Sequence, residues 1–264
     1  MDNRRAQPPL DLAWNPIAFA LGQVVISPVL QLANYIPEIQ EKLRHSGYPR
    51  YQQHELQALQ ISSPNSPPVV AQATRWLFLN ADHTGAISIG SESIVIERSV
   101  YSSFDEFSSE LGRVINVVQS IVDIQLFERI GFRRINLIEP TDELTLEQMF
   151  REGVLGVDLS GKVSTTSRKF EIWADTDVGR MMVRLLRPSP DGVLPPELSA
   201  SQLSIRPAQS VDSATLDIDH FEVRSAEFKD ELVIESLWRL HAAADYAFRQ
   251  TVSDDALRAW RQAK

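Results

Sequence analysis

The chain has no cysteine among its 264 residues. Disulfides, thiolate nucleophiles, zinc fingers and iron–sulfur centres are therefore excluded, and chemistry is left to hydroxyl, imidazole, carboxylate and cationic groups. The missing disulfides fit a reducing, cytoplasmic setting. Positive charge is also short. With 26 basic against 35 acidic residues the net charge is −9, which opposes duplex nucleic acid and anionic membrane unless basic groups are concentrated locally. Long apolar runs are missing too. The most apolar window, Ile17 to Ala33, is interrupted by Gly22, Gln23, Ser27, Pro28 and Gln31 and falls short of the roughly 20 clean residues that span a bilayer. The opening "MDNRRAQPPLDLAWNP" places Asp2, Asp11 and three prolines where an export signal needs apolar residues, so none is expected. Catalytic signatures are equally scarce: there is no G-x-G-x-x-G, no Walker-type G-x-x-x-x-G-K-[ST], no G-x-S-x-G elbow and no S-x-x-K.

What is present is a well-patterned core, with 43% apolar residues. "AFALGQVVISPV" reads as a strand ended by Pro28. "NYIPEIQEKLRHSGYP" reads as a helix capped by Asn34, with Pro37 in its first turn, Ile36, Ile39 and Leu43 on one face, and a stop at Gly47 and Pro49. A loop at "ISSPNSPP" precedes two alternating runs, "ATRWLFLN" and "GAISIGSESIVIER", joined by the turn "ADHTG". Ser102 or Ser103 then caps a long helix whose stripe is Phe104, Phe107, Leu111, Ile115 and Val118. The second half offers the strand "FERIGFRRINLI", a short helix at "TLEQMFREG", and a hairpin over "SRKFEIWADTDVGRMMVRLLRP". A long loop from Pro188 to Ser213, the strand "ATLDIDHFEVRSA" and a closing helix "KDELVIESLWRLHAAADYAFRQTV" complete it.

The order of elements repeats. "WLFLNADHTGAISI" and "FEIWADTDVGRMMV" both open on an aromatic (Trp76, Phe170), carry apolar residues at their third and fourth places and have glycine at the tenth (Gly85, Gly179). The expectation is an α+β protein: an antiparallel sheet with long helices on one face, built by twofold duplication of a β-α-ββ(β)-α unit. The halves are 1–125 and 126–264, forming one compact unit. In element order this resembles the TATA-binding-protein or helix-grip architectures, which implies no function.

In strand geometry Arg129, Gly131 and Arg133 share one face, and Arg134 shares the other with Glu128. Two arginines flanking a glycine outline a cradle for a carboxylate or phosphate. Arg180 and Arg184 on the later hairpin join it if the strands adjoin, and from Leu126 to Arg187 ten basic residues balance ten acidic ones. The competing expectation is that these arginines pair with Glu128, Glu171 or helix carboxylates. "LDIDHF" supplies Asp217, Asp219 and His220 as weak metal candidates, but His220 faces away from the two carboxylates, so no metal or other cofactor is expected. His241 precedes Asp245 by one helical turn, which suits an oriented base or an ordinary helical pair; with no accompanying nucleophile, the pair is the expectation.

Taken together, "ALGQVVISP", "IPEIQEKL", "RWLFLNAD", "YSSFDEF" and above all "ERIGFRRIN" resemble a sporadically distributed family of uncharacterised bacterial and archaeal proteins of about this length. The resemblance extends over most of the chain and is most specific at the "ERIG-R-N" core. An aromatic commonly stands in that family where this chain has Arg134. The resemblance implies an α+β protein with no catalytic residues to carry over, and its patchy distribution fits mobile or defence-associated genes. The leading expectation is a non-enzymatic cytoplasmic protein that binds another protein or itself. The alternative is a binding or enzymatic pocket for an anionic small molecule or nucleotide, lined by Arg129, Arg133, Arg180 and Arg184.

Overall fold

Nine strands form a single antiparallel sheet in the computed structural model, which describes residues 12–60, 69–157, 166–191 and 193–262. The opening segment and the "ISSPNSPP" loop fall largely outside these residues. The first half contributes β1 (Ile17–Ile26), α1 (Leu32–His45), β2 (Arg50–Gln60), β3 (Val69–Leu79), β4 (Gly85–Gly90), β5 (Ser93–Arg98) and α2 (Phe104–Val122). The second contributes β6 (Leu126–Ile138), β7 (Arg168–Asp175), β8 (Arg180–Arg187), β9 (Ala214–Glu227), α3 (Asp230–Thr251) and α4 (Asp254–Gln262). Across the sheet the order is β2-β3-β4-β5-β1-β6-β9-β8-β7. β1 and β6, the first strands of the two halves, are therefore neighbours at its centre.

Several elements differ from the pattern read in the sequence. "GAISIGSESIVIER" is two strands, because the chain turns at Ser91 and Glu92 so that β4 and β5 pair with each other. β2 has no apolar alternation in "RYQQHEL", yet it pairs with β3 along its whole length as an edge strand. "TLEQMFREG" makes only a three-residue 3-10 turn, Glu147–Met149. Helix α4 follows α3 after the break at Val252 and Ser253: the Ser253 hydroxyl accepts from Ala256 N at 3.1 Å, and Asp254 and Asp255 occupy its first turn. Helix α1 starts before Asn34, with Gln31 at its N-cap position. The cap of α2 is as expected, Ser103 Oγ accepting from Glu106 N at 3.2 Å.

The largest buried cluster joins Ile36, Ile39 and Leu43 of α1, Phe107, Leu111 and Val118 of α2, Val233, Leu237 and Leu240 of α3, and Trp260 of α4. These pack with strand residues that include Val24, Phe78, Ile96, Phe132 and Ile218. A second cluster lies beyond the opposite face. There Val193, Leu194 and Leu203 of the 188–213 segment bury against Ala18, Phe19, Leu79, Ala86, Ile135 and Leu137. This segment, the strap, is an irregular layer pinned by its own apolar residues. Glu139 also accepts from the backbone of Gln209 and Ser210 at 2.6 and 3.0 Å. The glycine shared by the two hairpins has a steric reason at Gly179: a Cβ there would lie 2.1 Å from the carbonyl oxygen of Phe221 on β9.

Candidate functional site

Beneath the strap the sheet presents residues in rows. One runs Leu77, Ser88, Val95, Gln23, Gly131, Phe221 across β3, β4, β5, β1, β6 and β9; the next runs Leu79, Ala86, Glu97, Leu21, Arg133, Asp219. A cavity of about 400 Å³ sits on these rows, floored by Leu77, Ser88, Gln23 and Gly131, and roofed by Glu197, Leu198, Ala200, Ser201 and Gln202 of the strap. His54, Arg75, Glu97, Arg129, Arg133 and Asp219 complete its wall. Gly131 helps to make the space, since a Cβ there would meet nothing closer than 3.7 Å.

The four expected arginines take three different environments. Arg133 does not bond its direct cross-strand partner, Asp219. It reaches diagonally to Asp217, Nε donating to Oδ1 at 2.8 Å and Nη2 to Oδ2 at 2.7 Å, and also donates to Glu197 at 2.7 Å. Arg184 donates to the same Asp217 at 3.1 and 2.6 Å and to Glu197. β8 and β6 do not adjoin: β9 lies between them and supplies the fully buried Asp217 that both arginines grip. Neither Glu128 nor Glu171 is the partner of these two. Burial opposes the charge of Glu197, but hydrogen bonds from Arg133 and Arg184 outweigh it and hold the carboxyl at about 2. Arg180 stands apart, exposed, 3.7 Å from Asp175 and stacked over Trp173.

Arg129 has a third environment. It donates to Gln23, lies 4.3 Å over the Phe221 ring and makes no ion pair with any described residue. Burial lowers its pKa. Facing the same space, the Asp219 carboxyl has no hydrogen bond or ion pair among the described residues. Burial raises its pKa, with Arg133 and Arg129 pulling the other way. Glu97 is also raised by burial, against a 2.8 Å hydrogen bond from Ser201 and the attraction of Arg75. The Ser88 hydroxyl, on a residue only 5% exposed, has no hydrogen-bond partner among the described residues. A buried polar group without a partner is uncommon.

The metal candidates separate. Asp217 is consumed by the two arginines and Asp219 opens to the cavity, while His220 points to the other face, its Nδ1 against Leu240 O at 3.0 Å and Nε2 against Thr176 Oγ1 at 2.9 Å. Among the described residues no cluster of three His, Asp or Glu side chains could hold a metal ion. His241 is half-buried among aromatic rings, stacked 3.7 Å from Phe104, and stands 3.7 Å from Asp245. Asp245 accepts from Arg134 at 2.5 Å, and Arg134 also donates to Ala244 O at 2.9 Å. Arg134, 2% exposed, thus ties β6 to α3. His54, Arg75, Ser88 and Glu97 could not be read into the site from the sequence, because each enters from a different strand. No family model matches the chain, and neither does any curated protein.

Proposed function

We propose that the protein binds a small polar molecule in the cavity under the strap, one that brings an anionic group to Arg129 and hydrogen-bond donors to Asp219. The observation that carries this is a cation and a carboxylate, Arg129 and Asp219, both turned to one cavity of about 400 Å³ and neither in an ion pair with a described residue. That volume lies in the range of small-molecule sites. Arg133, neutralised together with Arg184 by Asp217 and Glu197, serves as a wall of the cavity. The family resemblance adds the coincidence that Arg129, Gly131 and Arg133 of the "ERIG-R-N" core all line the cavity. A thermal-shift screen with nucleotides, phosphorylated sugars, amino acids and carboxylates tests it, since binding to the native state raises stability. The same compounds are applied to Gly131→Val, whose side chain intrudes on the floor. Stabilisation in the parent that Gly131→Val abolishes supports the site; no stabilisation by any compound at millimolar concentration overturns it.

We also take the two halves to be copies of one unit and the helices to cover one face. Support lies in the strand order: outward from β1 come β5, β4, β3 and β2, and outward from β6 come β9, β8 and β7. Among the described residues no helix is long and apolar enough to cross a membrane; a cytoplasmic location is proposed on the lack of cysteine. Protein–protein binding, the other expectation, draws support from the exposed edge strand β7.

A further inference from the structure

Strand β7 ends the sheet, and among the described residues no other strand pairs with its outer backbone groups. Its sequence is "RKFEIWAD", and it exposes Ile172 and Trp173 at 47% and 51%. Large apolar groups on an open sheet edge are an invitation to further pairing. Because side chains alternate, Phe170, Ile172 and Ala174 lie on one face, the face of Val183 and Ile218. Lys169, Glu171, Trp173 and Asp175 lie on the other.

We propose that β7 pairs antiparallel with β7 of a second copy of this chain, centred on Ile172 facing Ile172. A twofold pairing requires each residue to face one of the same parity, so only a few registers exist. Centring on Glu171 sets that carboxylate against itself, and centring on Trp173 sets Glu171 against Asp175. Centring on Ile172 sets Lys169 against Asp175 twice and Glu171 against Trp173 twice. On the other face it sets Phe170 against Ala174 on either side of the paired isoleucines. One face thus carries an unbroken apolar strip and the other two complementary charge pairs, which is the cross-strand pattern that stabilises a ladder. Centres further along, at Phe170 or Ala174, shorten the ladder. The second copy is favoured as occupant because the strand is complementary to itself in both charge and shape. The proposal does not depend on the cavity's ligand.

Analytical ultracentrifugation of the full chain tests it by charge reversal at two exposed positions. The parent is expected to sediment as a dimer. Lys169→Asp alone and Asp175→Lys alone each oppose like charges at two places and are expected to weaken association by about tenfold or more. The double variant restores opposite charges and is expected to restore the dimer. Circular dichroism melts of all four proteins confirm that each is folded. A parent that remains monomeric across the micromolar to submillimolar range overturns the proposal, as does a dimer that neither single reversal weakens or that the double variant fails to recover.

Discussion

Arg129 and Arg133 stand four residues apart on one face of one strand, and their surroundings are opposite. Arg133 is locked with Arg184 around the buried Asp217 and capped by Glu197, a closed set of two cations and two anions. Among the described residues Arg129 meets an amide and an aromatic ring, with Asp219 nearby but not bonded. The difference comes from the diagonal reach of Arg133: by leaning to Asp217 it frees its in-register neighbour Asp219 to face the cavity. Sharing a strand face therefore says little about availability. What decides it is whether a neighbouring strand places a carboxylate within reach.

The strongest way to break this contrast is to remove a member of the closed set. Asp217→Ala leaves Arg133 and Arg184 buried without their shared anion, and is expected to cost about 3–5 kcal/mol in urea denaturation. Asp219→Ala is expected to cost under about 1 kcal/mol because no bond is lost. Equal costs would erase the distinction drawn between the two carboxylates.

The opposite face of β6 sharpens it through pH. Burial between aromatic rings lowers His241 from 6.5 to about 4, with Asp245 opposing and Arg134 reinforcing the shift. The unfolded chain then binds the proton more readily than the folded one in that window. Stability should fall as pH drops from about 6.5 toward 4, by up to about 3 kcal/mol. His241→Gln should flatten that slope in melts at stepped pH, and an unchanged slope would remove His241 as its source.

Within the open set, Gly131→Val is expected to change stability by less than about 1 kcal/mol, since a β-branched residue suits a strand and a Cβ there meets Phe221 and Arg129 only at ordinary contact distances of 3.7 to 3.9 Å. It should nevertheless abolish any ligand-induced shift in melting temperature. Loss of stability equal to a core disruption would mean that the cavity is not open at Gly131.

The smallest effect has the opposite pH sign. Burial raises Asp219 above its ordinary 3.8, so the folded chain holds that proton more tightly and ionised Asp219 works against folding at neutral pH. Asp219→Asn is expected to be slightly more stable than the parent at pH 7, with the gain shrinking as pH falls toward 3.8. A destabilised Asp219→Asn at pH 7 would point to a bonded, not an open, carboxylate.

Local signals were legible in the sequence wherever local physics decided the outcome. Ser103 caps α2, the 3.6-residue stripe of that helix is its buried face, and the period of two placed Arg129, Gly131 and Arg133 together. β2 was not legible, because an edge strand needs little burial and its polar alternation resembles a loop. Nor were the partners of Arg133: Asp217 and Glu197 are 84 and 64 residues away, and it takes the insertion of β9 between β6 and β8 to bring in the first and the strap to bring in the second. Strand order is set by how the whole sheet assembles, and no window of sequence carries it.

The floor of the cavity crosses the junction of β1 and β6, with Gln23 facing Gly131 directly over it. A molecule resting there would touch both halves of the chain at once and act as a rivet through the midline of the sheet. Hydrogen exchange along β1 and β6 should then slow in step with occupancy, so that the mechanical firmness of the midline becomes a gauge of how tightly the guest is held.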